Sequence, residues 1–264
     1  QQCVGSLQLP LNNCGVMALD YLGVNGVATS IGHSPVVALI DSKIGSRKAI
    51  GKALTNIIWA PLEKGLKSVT LSANWMWPCN SPGEDARLYR AVEACSSFAI
   101  DLGINIPTGK DSLSMKQKYE NKEVKSPGTV IISAAGNCNN IKNIVEPCFI
   151  DNDDAIYFID LSDNNLHLGG TAFAQTMDKI GNEVSDVCKP GYFKKAFDVF
   201  QNLIKKELIS SGHDVSSGGM ITTLLEMCFP ENNIGAEIDL SFSQSEDLIK
   251  LLFNENLGIF FQAK

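Results

Sequence analysis

The sequence contains no run of 18 apolar residues, no pair of cysteines at C-x-x-C spacing and no excess of basic residues. The first absence excludes a membrane-spanning helix, and the second excludes the close cysteine pairs of zinc sites. Lysine and arginine number 22 against 29 aspartates and glutamates, so the net charge is −7 and there is no basic surface for a nucleic-acid backbone. We therefore expect neither a membrane nor a nucleic-acid partner.

Cysteine is present but dispersed. The eight cysteines stand at positions 3, 14, 79, 95, 138, 148, 188 and 228. Disulfide scaffolds concentrate cysteine in short secreted chains, whereas isolated thiols in apolar surroundings are typical of core positions. The pattern therefore favours a reducing compartment and predicts a cytoplasmic location.

The two ends of the sequence resemble cuts within a longer chain. The first residues include neither an initiator methionine nor a charged segment followed by a long apolar core, so they do not resemble a signal peptide. The last eight residues form a strand-like run. We interpret the chain as a fragment of a longer protein.

Strand-like and helix-like segments alternate along the whole chain. The patterns predict strands at 14–22, 26–31, 68–77, 129–135, 155–161 and 234–240, and helices at 42–66, 81–102, 190–210, 220–227 and from Glu246 onward. A stretch rich in asparagine and aspartate at 137–154 predicts a boundary near residue 150, with one domain at 1–150 and another at 151–264. The alternation predicts a mixed α/β (α+β) fold.

The strongest local signal is His213-Asp214-Val215-Ser216-Ser217-Gly218-Gly219, which precedes an apolar helix. Paired glycines let the backbone approach a ligand, and the free N–H groups of a helix start favour an anion. Asp214 is a candidate ligand for Mg²⁺, and Ser216 is a candidate donor to phosphate. The alternative is that Ser216 or Ser217 simply caps the helix.

A second polar segment is Gly109-Lys110-Asp111-Ser112. It is not a Walker A motif, because the glycine spacing is wrong and Asp111 stands where serine or threonine belongs. Two interpretations remain: a turn that binds phosphate and metal, or an ordinary polar β-turn.

Two further features have both a binding and a packing interpretation. Trp75 and Trp77 lie two residues apart, so they can form the floor under a nucleotide base or cover a core. Gly169 and Gly170 precede a helix, so they can face a phosphate or allow close helix packing.

Six motifs in order resemble those of phosphoribosylformylglycinamidine synthases of the large, single-chain type. They are Gln1-Gln2-Cys3-Val4-Gly5, Ala53-Leu54-Thr55-Asn56, Leu71-Ser72-Ala73-Asn74-Trp75-Met76, Gly83-Glu84-Asp85-Ala86, Gly109-Lys110-Asp111-Ser112-Leu113-Ser114-Met115 and His213-Asp214-x-Ser216-x-Gly218-Gly219. The resemblance runs through the whole chain and is to the second half of the synthetase region. It implies a two-domain module similar to aminoimidazole ribonucleotide synthetase, with an N-terminal barrel-forming sheet domain and a C-terminal α/β domain that is truncated at its C-terminus.

The resemblance also implies an activity and partners. The family converts formylglycinamide ribonucleotide, ATP and glutamine to the amidine in purine biosynthesis, with ATP/ADP and Mg²⁺ as cofactors. The first synthetase half and the glutaminase domain would come from the rest of the same chain, so we expect the isolated chain to be inactive and expect it to form a homodimer.

Two alternatives to this activity remain. One is a structural half that binds an auxiliary nucleotide or mediates dimerisation without turnover. The other is a stand-alone relative such as aminoimidazole ribonucleotide synthetase or selenophosphate synthetase, which needs a glycine- and aspartate-rich ATP loop that is absent before residue 40.

By motif match, the resemblance implies two groups of site residues. The first group, for an auxiliary nucleotide site, is Asn13, Lys52, Asn56, Asp214 and Ser216; the second, for the working site, is Asn74, Lys110, Asp111 and Ser112. Of these, Asn13, Lys52, Ser216, Asn74, Lys110 and Ser112 are nucleotide-binding positions, and Asn56, Asp214 and Asp111 are metal positions. The chain departs from the family pattern at two of them, since the family has aspartate in place of Asn13 and glutamate in place of Lys52. A charged lysine cannot ligate Mg²⁺, so these departures put the auxiliary metal site in doubt.

Overall fold

The computed structural model describes residues 11–152, 154–230, 233–241 and 247–264. Its strands and helices alternate in the order β1 (Gly15–Ala18), β2 (Gly26–His33), α1 (Pro35–Ile40), α2 (Ser42–Ile57), β3 (Val69–Met76), α3 (Glu84–Leu102), β4 (Asn105–Ser112), β5 (Lys116–Tyr119), β6 (Lys122–Lys125), β7 (Thr129–Cys138), β8 (Ala155–Asp160), α4 (Ala172–Thr176), α5 (Pro190–Lys205), β9 (Ile209–Asp214), α6 (Gly219–Glu226), α7 (Leu248–Phe253) and β10 (Gly258–Ala263). The first motif, Gln1-Gln2-Cys3-Val4-Gly5, and the helix start predicted at Glu246 lie outside the described residues.

The larger sheet has five strands in the order β1-β2-β7-β3-β4. Its neighbouring strands are antiparallel except for β3 and β4, which run parallel. Helix α2 packs closely on one face because Gly32 has no side chain there: a Cβ would lie 2.1 Å from the carbonyl oxygen of Ala49. Residues on the other face are open to solvent, and Met17 and Ile31 are 61% and 58% exposed. The sheet therefore has one packed face and one open face.

The smaller sheet has three antiparallel strands, with β10 between β8 and β9. Helix α5 connects the hydrophobic core of the smaller sheet to that of the larger sheet. Phe193, Phe197 and Phe200 of this helix are fully buried in one hydrophobic cluster that also contains residues of α2, β3 and β10. The ring of Phe200 meets Trp59 edge-on at 5.2 Å and Phe261 at 5.1 Å. One continuous core thus supports both sheets.

These elements confirm the predicted mixed α/β fold class. The described sheet does not close on itself, because β1 and β4 remain as its edges. The domain boundary near residue 150 stays a prediction. Within the described ranges, no helix combines the length and the apolar character needed to cross a bilayer.

Four predicted elements are wrong in extent or type. The strand predicted at 14–22 ends at Ala18, and the helix predicted at 190–210 ends at Lys205. Helix α2 ends at Ile57 rather than at residue 66, since proline at position 61 disfavours helical backbone before it. Residues 234–240 form no strand, because their backbone pairs with no neighbouring strand. Their apolar side chains pack on a second hydrophobic cluster, separate from the one that contains the phenylalanines of α5.

The segment Gly109-Lys110-Asp111-Ser112 is not a turn, as both interpretations of it assumed, but the second half of strand β4. Pairing with β3 supplies hydrogen-bond partners that the local sequence does not reveal. Glycine is required at position 109 because a Cβ there would lie 2.3 Å from the carbonyl oxygen of Ala73.

Candidate functional site

Four of the predicted site residues line one pocket of about 240 Å³. They come from distant parts of the chain: Asn13 precedes β1, Asn56 lies in the last turn of α2, Asp214 ends β9, and Ser216 lies in the following turn. The complete lining is Leu11, Asn12, Asn13, Asn56, His213, Asp214, Ser216, Ser217 and Glu226. The fold therefore assembles this part of the predicted auxiliary site.

The turn after Asp214 depends on its two glycines. Gly218 and Gly219 have φ angles of +92° and +76°, a region that side chains other than glycine rarely adopt. Neither serine of the turn caps α6, so the capping alternative is wrong: Gly218 is the N-cap residue and no side chain of the turn bonds to the helix start. The N–H of Gly218 donates instead to Oε1 of Glu255, at 2.9 Å. Ser216 is left exposed at the pocket.

A buried histidine forms one wall of the pocket. Nε2 of His213 lies 3.0 Å from Oε2 of Glu226, and Nδ1 lies 3.6 Å from Oδ1 of Asp214. Burial lowers the pKa of His213, but its bonds to Asp214 and Glu226 outweigh burial and raise that pKa to about 9. At neutral pH an imidazolium therefore balances the two carboxylates.

The amide of Asn13 is engaged by this cluster. Its oxygen accepts from Nδ1 of the protonated His213 ring. If the amide is flipped, its nitrogen lies 2.9 Å from Oδ1 of Asp214 and its oxygen lies 3.1 Å from Nε1 of Trp59. In this orientation the nitrogen also donates to Nδ1 of His213, which requires the neutral form of the ring. In both orientations Asn13 is bonded to protein groups.

Lys52 lies one helical turn before Asn56 on α2 and is not among the described lining residues. Burial lowers the pKa of His33, and the positive charge of Lys52 adds to that effect. Asn56 donates from Nδ2 to the carbonyl oxygen of Ile31 at 3.0 Å, which leaves its own carbonyl oxygen as the group available to a ligand.

The second predicted group lies on the open face of the larger sheet. Asn74 pairs with Lys110 and Met76 pairs with Ser112 across the parallel strands, and Nζ of Lys110 donates to Oγ of Ser112 at 2.5 Å. Oδ1 of Asn74 is buried and has no hydrogen-bond partner. Asp111 pairs with Trp75 on the opposite face, since side chains alternate along a strand. Asn74, Lys110 and Ser112 are therefore together, and Asp111 is separate from them.

A concavity of about 740 Å³ lies on this open face. It shares Asn12 and Asn13 with the smaller pocket and extends over Ser72 and Thr108, two residues before Asn74 and Lys110 on the same strands. The smaller pocket thus continues, through Asn12 and Asn13, into the concavity on the open sheet face.

The two remaining features are explained by packing. Trp77 is only 1% exposed and lies beneath the guanidinium of Arg87, so it cannot form the floor under a base. A Cβ at Gly170 would lie 2.8 Å from the side chain of Val37, and Thr171 caps the short helix α4.

The pocket lining contains two carboxylates, those of Asp214 and Glu226. Mg²⁺ in proteins is bound by one or more carboxylates with octahedral geometry. Within the described ranges, no group of three or more His, Cys, Asp or Glu side chains is placed to hold a metal ion. Asp214 is already balanced by His213, and Lys52 adds a positive charge on the helix of Asn56.

Sequence reasoning missed Trp59, Glu226 and Glu255. Glu226 is brought to His213 only because α6 folds back beside β9, and Glu255 is 37 residues from the glycine whose N–H it accepts. Glu226 and Glu255 lie in no local motif, so a single sequence offers no signal for them.

Comparison with known proteins places the chain in a family. Residues 1–137 match the family described as FGAR-AT PurM_N-like domain, and residues 152–263 match the C-terminal domain of AIR synthase related proteins. The chain belongs to the FGAR-AT PurM_N-like family. The resemblance predicted from the motifs is thereby confirmed.

Relatives and solved structures agree with this assignment. A probable phosphoribosylformylglycinamidine synthase, chloroplastic/mitochondrial, from Arabidopsis thaliana is 41% identical over 261 residues, which cover 98% of this chain and 18% of the relative. The chain thus spans about a fifth of the length of the curated relatives it matches. T. maritima PurL complexed with FGAR has a TM-score of 0.71 at 16% identity, covering 96% of this chain and 40% of that one. The complex of the same protein with ADP has a TM-score of 0.68 at 14% identity, covering 96% and 38%.

Proposed function

We propose that this chain is the second synthetase half of a phosphoribosylformylglycinamidine synthase. The observation that carries the proposal is the relative of that name, which is 41% identical over 98% of the chain. The first synthetase half and the glutaminase domain belong to the remainder of the same protein, since the chain spans only 18% of that relative. The complete protein is then a glutamine-dependent carbon–nitrogen ligase of purine biosynthesis.

In the proposed reaction, the amide oxygen of formylglycinamide ribonucleotide attacks the γ-phosphorus of ATP, and ADP leaves. Ammonia released from glutamine then attacks the amide carbon, and inorganic phosphate leaves to give the amidine. Asn74, Lys110 and Ser112 are the contributors of this chain to the working site. Their donors lie together on an open sheet face, where they can position anionic groups.

The pocket of Asn13, Asn56, Asp214 and Ser216 is the proposed auxiliary nucleotide site. Support comes from its polar lining and from T. maritima PurL, a protein of the same fold whose structure was solved with ADP. Lys52 is the proposed partner of a nucleotide phosphate. Asp214 is the proposed carboxylate ligand of a Mg²⁺ that would also bind the nucleotide phosphates.

The test measures ADP binding to the full-length enzyme by calorimetry, together with amidine formation. Asp214→Ala should abolish one ADP-binding component, and Asp101→Ala, an exposed change on α3, should leave it intact. Retention of all ADP binding by Asp214→Ala would contradict the site assignment. Amidine formation by the isolated 264-residue chain would contradict its assignment as an incomplete half.

A second candidate is a nucleotide that braces the structure without turnover. It is favoured by the imidazolium of His213, which already balances the carboxylates of the pocket. Under this candidate, Asp214→Ala lowers the melting temperature of the full-length enzyme but leaves kcat unchanged at saturating substrate. A cytoplasmic location and a homodimer of the isolated chain also stay proposals, and one relative carries an organellar name.

A further inference from the structure

Glu255 is an acid buried between two helix starts. It is only 7% exposed, and its Oε1 accepts from the N–H of Ala172 at 2.7 Å and from the N–H of Gly218 at 2.9 Å. These N–H groups stand at the starts of α4 and α6, where the helix dipole favours a negative charge. The side chain of Glu255, which is distant in sequence, therefore supplies the capping contact at the start of α6 that the side chains of the turn do not supply.

The backbone of Glu255 is held by a different element. Its carbonyl oxygen accepts from Nζ of Lys48 at 3.0 Å, and Lys48 is only 4% exposed. Lys48 lies on α2, two turns before Asn56. One turn further along the helix, a Cβ on Gly51 would lie 2.2 Å from the side chain of Leu257, so helix and segment are in close contact. Two adjacent contacts thus fix residues 255–257 against α2.

The two sets of bonds form a path between the walls of the pocket. One wall is the end of α2, which carries Asn56, and the other is the turn that carries Asp214 and Ser216. Glu255 is bonded to α2 through its carbonyl oxygen and to Gly218 of that turn through its carboxylate. A Cβ on Gly219 would also lie 2.5 Å from the carbonyl oxygen of Asn254, so the turn has little freedom to shift.

We propose that Glu255 and Lys48 are positioning residues that set the distance between Asn56 and the Asp214–Ser216 turn. The inference rests on the proposed nucleotide site and states which residues determine the width of its pocket. Neither residue lines the pocket, so both act through the elements they join. The buried ammonium of Lys48 has an uncharged acceptor as its direct partner, which is an unfavourable arrangement for stability alone. A role in the site accounts for this arrangement.

The experiment uses the full-length enzyme and ADP as the probe, and follows the binding component that Asp214→Ala removes. Glu255→Ala should weaken this component at least tenfold. Glu255→Gln keeps an oxygen for both N–H groups and should stay within threefold of the parent. Lys48→Met should weaken binding about five- to tenfold while the melting temperature stays equal or rises, a divergence that a merely structural residue would not show.

The matched control is Gln262→Ala. Gln262 is 4% exposed, lies on β10, and accepts through one oxygen from Ile150 N and Ser211 Oγ, at 2.8 and 2.7 Å. It should lower the melting temperature as Glu255→Ala does, while ADP affinity changes less than twofold. Equal loss of affinity in this control, or binding by Glu255→Gln as weak as by Glu255→Ala, overturns the inference. So does unchanged affinity in Lys48→Met. If Asp214→Ala removes no ADP binding, the proposed function fails instead.

Discussion

Replacing Lys48 by methionine should stabilise the chain at neutral pH. Lys48 is buried, and burial lowers the pKa of its ammonium from 10.5 to about 8, with a further decrease from Lys52 that the charges of Glu255, Asp186 and Asp163 oppose. Methionine has a similar length and no charge, so it removes the cost of burying the ammonium group. It also removes the bond to the carbonyl oxygen of Glu255.

The magnitude follows from the two pKa values. A decrease in the pKa of Lys48 from 10.5 to about 8 corresponds to a loss of about 3 kcal/mol of folding free energy. This loss applies in full at pH values where the lysine is charged in both the folded and the unfolded chain. The unfolded chain binds the extra proton between pH 8 and 10.5, so the stability of the parent rises with pH across this window. The lost hydrogen bond offsets about 1–2 kcal/mol. We therefore expect Lys48→Met to be about 1–2 kcal/mol more stable at pH 7 and about 1–2 kcal/mol less stable above pH 10.5.

Urea unfolding of both 264-residue chains at pH 7, 8.5 and 10.5, followed by circular dichroism, measures this crossover. Lys43→Met is the control, because Lys43 is an exposed lysine on the same helix and should show no crossover. A Lys48→Met chain that is destabilised by the same amount at every pH would refute the reasoning, since it would mean that the ammonium is not buried at a cost.

Three further predictions concern the sheet and the pocket. Gly109→Ala should lower the free energy of unfolding by about 2–3 kcal/mol, because its Cβ would lie 2.3 Å from the carbonyl oxygen of Ala73. Urea unfolding measures this change, and a loss under about 0.5 kcal/mol would contradict the close approach of β3 and β4. In the full-length enzyme, Asn13→Asp combined with Lys52→Glu should increase the Mg²⁺ dependence of ADP binding at least tenfold in calorimetry, and an unchanged dependence would show that these positions do not face the nucleotide. The isolated chain should self-associate at micromolar concentration through the open face of its larger sheet, so a strict monomer in analytical ultracentrifugation would count against this use of the face.

Local patterns were sufficient to predict much of the fold. The apolar period of α3 and its end at Gly103 agree with the structure, because the helix is amphipathic and Gly103 adopts φ +73°. The predicted strand at 68–77 corresponds to β3. The grouping of Asp214 with Ser216 also followed from sequence, since two glycines close behind them fix the turn.

The remaining features depend on contacts between distant segments. The strand containing Lys110 and Asp111 is polar and reads as a turn, and only its parallel partner β3 makes it a strand. Asn13 and Asn56 meet Asp214 across more than 150 residues of sequence. The capping of α6 by Glu255 likewise has no local pattern, because the acid reaches the helix from a different part of the fold.

The strand order of the smaller sheet has a consequence for biosynthesis. Among the described strands, β8 and β9 do not pair with each other, and each has β10 as its neighbour in the sheet, which comes last of the three in the sequence. On the ribosome, β9 has been translated about 40 residues before β10 begins, which at 5–20 residues per second is roughly 2–8 seconds. During this interval β8 and β9 have exposed, unpaired edges, so this is the stage of synthesis at which a chaperone or a neighbouring nascent chain has most access to them.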